Sequence, residues 1–498
     1  MKLFKLPSAQ TILIIIAAAV ALLTWVIPAG KFDTLFYDKD DVAFVLNSKG
    51  ESIRLNANQT TLDSLNIKIP FSKFSNGDIW KPIAVPGTYM EVEGSPQGFA
   101  EFVKSPVKGI IAAADIIFLI LIIGGLIGVM NLTGAFNAGI SWLAHALKGR
   151  EFILIVLVTT LIALGGTTFG LAEETIAFFP ILIPVFIAAK YDALVGLACI
   201  YLGSSIGTMC STTNPFSTII ASDAAGINWT TGLTGRVIML VVCLVITIIY
   251  IIRYANKVKK NPEASLIFDQ KEEIENLFGD LFSQESQKLT TRLRLILAVF
   301  SLCFIVMIYG VSQLEWWFAE MTTIFLVGAV LVAFIGRIKE TQFLKAFMGG
   351  ASDLLGVAFI VGIARGITIL MEDGMISDTL LFYASNTTEG MNKGLFVNTM
   401  LYVYSGLSFF IPSSSGMAVL TMPIMSPLAD TVGLGRETIV NCYQYGMGIF
   451  NLINPTGLIL ASLAIVNIGY NKWLKFIFPL MIILAVLIMI VLTALAYY

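Results

Sequence analysis

The sequence predicts an all-α polytopic membrane protein. It is built from two inverted repeats, each with a re-entrant hairpin and a broken helix, and it carries a small β-rich extracytoplasmic segment. Three observations predict this. Several apolar runs reach the roughly 18 residues needed to cross a bilayer. Two long apolar stretches, 152–190 and 393–430, are interrupted at their centres by Gly, Ser, Thr and Pro. The features of the first half also recur, in order, in the second.

Composition supports the class. Of 498 residues, 57% are hydrophobic and 13% charged, with a mean hydropathy of +0.84; soluble proteins carry about 25% charged residues. A net charge of −2 gives nucleic acid no attraction. The single histidine, His145, cannot build a histidine-based metal site or a conventional triad, and in SWLAHALKGR it reads as an interfacial residue. Cys199, Cys210, Cys243, Cys303 and Cys442 have no CxxC spacing and read as buried free thiols.

In chain order, residues 1–28 read as a retained first transmembrane helix, since TILIIIAAAVALLTWVIP is long and no A-x-A cleavage site follows. Residues 29–106 form the extracytoplasmic segment, with strand-like alternation in VAFVLNSKGESIRL and turn formers in PGTYMEVEGSP. Repeat 1 spans 107–254, a cytoplasmic linker 255–293, two connecting helices 294–336, and repeat 2 spans 337–498. Transmembrane helices are expected at 107–131, 192–225, 231–254, 294–312, 317–336, 350–371, 436–466 and 473–497. Within the linker, DQKEEIENLFGD reads as a solvated helix. Short basic loops with Lys148/Arg150, Lys190, Arg337/Lys339 and Lys472/Lys475 are placed in the cytoplasm. One arrangement fits them all: the N-terminus inside, nine crossings, and two interrupted stretches that each leave on the side they enter, the first from the cytoplasm and the second from outside.

The repeat is specific. FPILIP (179–184) and MPIMSP (422–427) share P-I-x-x-P, with Pro180 and Pro423 243 residues apart. Asn214–Pro215 and Asn454–Pro455 lie 240 apart, and Asp115 and Asp353 lie 238 apart. Such inverted repeats are the pattern of many secondary transporters. Unsatisfied backbone in hydrocarbon costs several kcal/mol per group, so an interrupted helix at that depth lines a cavity or binds something. Half-helix N-termini suit a carboxylate and C-termini a cation.

Individual residues allow competing readings. Ser413, Ser414 and Ser415 sit at the centre of the uncharged stretch 394–429, as a hairpin tip would; Thr167 and Thr168 hold the matching place in the first hairpin. Glu173 and Glu174 are the only charges between Phe152 and Ala189. Three readings stay open for them: an exposed hairpin mouth, a structural pair with a base such as Arg365, or a cavity-facing cation or proton site. Arg365, the only base within 350–371, either clamps a substrate carboxylate or serves as a structural counter-ion for Asp353, Glu372 or an amide-lined pocket. Asp115 and Asp353 read as structural residues near helix starts.

Six segments together resemble the four-carbon dicarboxylate anaerobic carrier family of the ion transporter superfamily, and more closely its basic amino-acid antiporter branch. They are LTWVIPAGKFD, VPGTYMEVEGSPQGF, GGTTFGLAEETIAFFPILIP, STTNPF, GIARGI and FFIPSSSGMAVLTMPIMSPLAD, spread over essentially the whole chain. The resemblance implies an integral membrane transporter of the bacterial plasma (inner) membrane, often a homodimer, often working by an elevator motion. It implies no cofactor beyond sodium ions or protons as coupling ions. The site it implies comprises Thr167, Thr168, Glu173 and Glu174 on the first hairpin; Ser211, Thr212, Thr213 and Asn214 at the first break; Ser413, Ser414 and Ser415 on the second hairpin; and Asn451, Asn454 and Thr456 at the second break. Arg365 joins this set as a substrate ligand, and Ser211, Thr212, Asn214 and Asn454 are the positions for a coupling ion. The Ser-Asn-Thr signatures of sodium-coupled dicarboxylate carriers are not present as such; the equivalents read TTF, STTNP, SSSG and NLINP.

The expected function is therefore secondary active exchange of amino acids, basic ones of the arginine/ornithine type. The glutamates would take a cationic group, and the substrate carboxylate would use half-helix N–H groups and Ser/Thr hydroxyls. A sodium- or proton-coupled dicarboxylate carrier and a cation/proton antiporter are the alternatives. An enzyme is disfavoured, since no nucleophile–base pair or HExxH-type motif occurs among the intramembrane residues. The N-terminus is expected in the cytoplasm and the C-terminus outside it, with the lipid bilayer and a small molecule as partners.

Overall fold

Sustained apolar sequence without helix breakers forms long helices, and the computed structural model of the chain is dominated by them. It describes residues 8–77, 79, 81–136, 138–139, 142, 150–277, 289–314, 316–387 and 390–497; His145, Lys148 and the end of the linker helix motif lie outside them. Seven described helices are long and apolar enough to cross a membrane: Ala114–Thr133, Phe152–Phe169, Leu233–Lys260, Thr291–Val311, Phe318–Gly336, Leu355–Asp373 and Tyr470–Tyr497. Ala9–Leu23 and Ala193–Met209 are apolar but shorter.

Several boundaries differ from expectation. Beyond Leu23 the first helix closes in turns ahead of Pro28, with the Val26 N–H on the Leu23 carbonyl at 3.0 Å. The expected helix 107–131 is two: Phe99–Ala112 and Ala114–Thr133, divided at Ala113 (φ −108°, ψ 19°). The expected 350–371 is likewise divided at Leu354, between Glu340–Asp353 and Leu355–Asp373. Asp115 thus lies in the first turn of its helix, whereas Asp353 ends one. Helix Leu233–Lys260 runs on into the linker, because Lys and Arg are good helix formers after the apolar run stops. The remainder of the linker includes the short helix Lys271–Leu277.

The interrupted stretches are broken where Gly, Ser and Pro cluster. The first consists of Phe152–Phe169, a 3-10 turn Glu173–Phe178 and Phe179–Ala188; the second of Lys393–Phe410 and Ser414–Thr431. At the Asn-Pro positions, Ala193–Met209 resumes as a π turn Pro215–Ile219 and Ile220–Ala224, and Glu437–Asn451 resumes as Ile459–Val466.

The ends of each interrupted stretch lie together. Lys259 pairs with Glu151 at 3.1 Å and sits 5.4 Å over the Tyr191 ring, so it touches both ends of the first. Beside it, Asp192 accepts from Tyr254 and Ser265 of the linker side, each at 2.7 Å. At the second hairpin, the Lys393 side chain comes within 4 Å of where a Gly433 side chain would start.

Close packing between the halves runs through glycine. A side chain on Gly109 would meet Gly362 O at 2.1 Å, and one on Gly350 would meet Gly124 O at 2.2 Å. Each short helix before a break therefore presses on the spanning helix of the other half, through a small-residue face of the kind that lets membrane helices approach closely. Ala193–Met209 is buried on almost every side; its Gly207 lies against Ala163 O, and Gly446 lies against Leu401 O in the other half.

Among its described residues, the segment after the first helix forms six strands: β1 (Gly30–Lys31), β2 (Thr34–Asp38), β3 (Ala43–Ser48), β4 (Glu51–Asn56), β5 (Ile83–Ala84) and β6 (Met90–Glu91). A four-stranded antiparallel sheet runs β4-β3-β2-β5, and β1 pairs with β6. The expected hairpin is β3–β4, with Ser48 opposite Glu51. Its two-residue turn, Lys49–Gly50, has positive φ at both positions (52° and 83°), the conformation that suits the strand twist.

Candidate functional site

Breaking a helix leaves carbonyls and N–H groups that need partners, and the two Asn-Pro breaks meet that need in the same way. Asn214 Nδ2 donates to Gly166 O (3.4 Å), and its Oδ1 accepts from Phe216 N–H (2.8 Å). Asn454 Nδ2 donates to Ser408 O (3.0 Å), and its Oδ1 accepts from Thr456 N–H (3.1 Å) and Thr456 Oγ1 (2.7 Å). Asn214 caps the turn Pro215–Ile219 and Asn454 closes the turn ahead of Ile459–Val466, and each ties its break to the first helix of the adjoining interrupted stretch. Proline following each asparagine starts the new turn without needing a donor.

Between these breaks and the interruptions at residues 170–174 and 412–415 lies a cavity of about 540 Å³. Of the residues expected from sequence, Glu173, Glu174, Asn214, Arg365, Ser413, Ser414, Ser415, Asn451 and Thr456 line it. Glu174 accepts from Ala172 N–H at 3.1 Å, which fixes the turn before the glutamates. Among the described residues no carboxylate stands within 4.0 Å of Arg365.

The other expected residues are not on the cavity lining. Thr167 is buried, donating to Cys210 O (3.1 Å) and accepting from Thr212 N–H (3.0 Å). Thr168 turns back on to Leu164 O, and Thr213 donates to Thr168 O. Ser211 is fully buried against Ser217, Thr218 and Gln444. Thr212 and Asn454 are buried as well. These side chains hold the breaks to the hairpins.

The cavity also contains groups that sequence reasoning placed elsewhere. Asp115, read as structural, lines it. So do Tyr201, whose hydroxyl donates to Asn451 O (2.6 Å), and Tyr443, whose hydroxyl donates to Ser414 O (2.8 Å). Gln444 lines it too; its Oε1 is buried without a hydrogen-bond partner among the described residues. The least expected is Lys81, which reaches in from the β-rich segment and donates from Nζ to Ser415 Oγ at 2.9 Å. Burial, with the Arg365 guanidinium second, lowers the pKa of its ammonium below the ordinary lysine value. Helical position could have signalled Tyr201, Tyr443 and Gln444; nothing local to Lys81 marks it.

The charged lining is therefore Asp115, Glu173 and Glu174 against Lys81 and Arg365. The family of C4-dicarboxylate anaerobic carriers matches residues 6–498. The chain is 44% identical over 481 residues to an uncharacterized protein of Haemophilus influenzae, covering 96% of this chain and 94% of that one. It is 27% identical over 491 residues to the Escherichia coli protein named "Putative basic amino acid antiporter YfcC", covering 95% and 92%. Among solved structures it is similar to the Alcanivorax borkumensis YdaH transporter, with a TM-score of 0.40 and 11% identity over 98% of each chain. With a cavity between broken helices in an apolar helical body, and a family match over nearly its whole length, the chain belongs to the C4-dicarboxylate anaerobic carrier family and is a membrane transporter.

Proposed function

We propose that the protein exchanges basic amino acids of the arginine/ornithine type across the bacterial inner membrane by alternating access. The observation that carries this is the make-up of the cavity lining: three carboxyl groups against two cationic side chains, a formal excess of one negative charge when all are ionised. A basic amino acid brings two cationic groups and one carboxylate, the complement of that set. Exchange of like-charged substrates needs no net ion coupling.

The architecture is read as two inverted repeats with re-entrant hairpins. Adjacent ends of the interrupted stretches, equivalent asparagine ties and reciprocal glycine contacts support that reading. The first hairpin opens toward the linker face, and the second toward the side where Arg436 donates to Ala225 O and Gly226 lies against Lys68 O. With the linker in the cytoplasm, the N-terminus is cytoplasmic and the C-terminus extracytoplasmic. The dimer implied by the family resemblance belongs to the same proposal.

One observation favours a second reading. Arg365 and Lys81 both line the cavity and would suit a dicarboxylate, with protons or sodium offsetting the acidic groups. Counterflow in liposomes separates the two. Vesicles loaded with ornithine should take up labelled arginine without a sodium gradient, and Glu173→Gln or Glu174→Gln should each cut that uptake at least ~10-fold, the loss of one charge-assisted contact. Succinate uptake that needs sodium or protons would move the protein to the dicarboxylate reading. Full retention of arginine exchange in both variants would remove the glutamates from the mechanism.

A further inference from the structure

Anion recognition at broken helices ordinarily uses the free N–H groups of the half-helix N-termini. Here Asn214 accepts from Phe216 N–H, and Ser413 Oγ accepts from Gly416 N–H at 3.2 Å, so the chain's own side chains take an N–H at both of these starts. Beside them the cavity offers a substrate carboxylate two cationic side chains.

Lys81 is held there by its surroundings. Pro82 follows it and restricts its backbone to extended conformations. Ile83, Ala84 and Val85, next along the chain, are buried. On the other side, Lys73 of the short helix Phe71–Ser75 pairs with Asp223 at 2.8 Å, and Lys68 O lies against Gly226. The stretch carrying Lys81 is thus fastened both before and after it, and its ammonium rests on the tip of the second hairpin through Ser415. The Arg365 guanidinium is close enough to act on the Lys81 ammonium, and an anion placed between the two is attracted by both.

We propose that Lys81 and Arg365, with the Ser413–Ser415 turn, form the subsite for the substrate's carboxylate, so that the extracytoplasmic segment supplies a binding residue to the transport site. The proposal rests on the transporter reading above, and it holds for an amino acid or a dicarboxylate alike.

Ligand-induced thermal stabilisation of the full-length protein in detergent tests it independently of transport. The probes are arginine, its decarboxylated analogue agmatine, and succinate. In the wild type, arginine or succinate should stabilise, and agmatine should do so less than arginine. Lys81→Gln and Arg365→Gln should each weaken the response to the stabilising carboxylate at least ~10-fold, the effect of one charge-assisted hydrogen bond. The agmatine response should be unchanged, and Lys81→Arg should retain most of the binding. Should Lys81→Gln fail to fold, Lys81→Arg and Ser415→Ala carry the same test, Ser415→Ala weakening carboxylate but not agmatine binding. Stabilisation by succinate alone, lost in Lys81→Gln, would keep the subsite and overturn the basic amino-acid reading. Equal responses of wild type and Lys81→Gln, or no stabilisation by any carboxylate, would overturn the subsite.

Discussion

Asn214 and Asn454 each do two jobs with one amide, and the jobs are not equally strong in the two halves. Asn454 makes three contacts between 2.7 and 3.1 Å, while Asn214 makes one at 2.8 Å and one at 3.4 Å. Both are buried, so removal leaves backbone groups without partners, at about 1–3 kcal/mol for each group so orphaned. Asn454→Ala should therefore lower the melting midpoint in detergent more than Asn214→Ala; the reverse order would mean that the hairpin contacts do not govern stability at the breaks. Sequence marks both residues, because Asn-Pro inside an apolar run is a plain signal of interruption. It does not tell a ligand from a brace. Thr167, Ser211 and Thr212 share the composition of a site, yet their hydroxyls face one another and the backbone. Lys81 is hidden for the opposite reason: its partner is 334 residues away.

At the scale of elements, adjacent glycines in one helix have opposite surroundings. A methyl on Gly350 would stand 2.2 Å from Gly124 O, whereas one on Gly349 would meet nothing within 4 Å. Gly350→Ala must push two helices apart, at a cost of about 1–3 kcal/mol. Gly349→Ala only gains helix propensity, up to about 1 kcal/mol. Gly109→Ala, against Gly362 O at 2.1 Å, should match Gly350→Ala. Thermal unfolding of the three variants in detergent checks this; equal midpoints for Gly349→Ala and Gly350→Ala would show that the glycine contact carries no stability. The spacing of near 240 residues between the halves is plain in the sequence, but the divisions at Ala113 and Leu354 are not. Neither has Gly or Pro at the break itself, so the expected spans 107–131 and 350–371 run across both.

Over the whole molecule, the β-rich segment joins parts that an elevator motion would separate. It pairs Lys73 with Asp223, which follows the first break, rests Lys81 on the second hairpin, and meets the helix Ser377–Asn386 through Phe32 N–H to Asp378 (2.9 Å) and a stacked Tyr89–Phe382 pair (4.1 Å). Composition reveals that this segment is polar and strand-forming; only the tertiary structure brings its lysines to the helical body. The Lys73–Asp223 pair measures how strongly the segment is coupled to that body. The Asp223 side chain is 1% exposed and that of Lys73 27%, so Lys73→Met takes a cation from beside a buried carboxylate and should lower stability. Adding Asp223→Asn removes that charge and should restore most of the stability, because a buried pair owes much of its apparent worth to the penalty of breaking it on one side. Melting midpoints of the two single variants and the double variant give the coupling directly. A strongly positive coupling with transport slowed in Lys73→Met would mark the segment as an integral part of the moving machinery. Additive effects would instead leave it as a cover that the helical body does not sense.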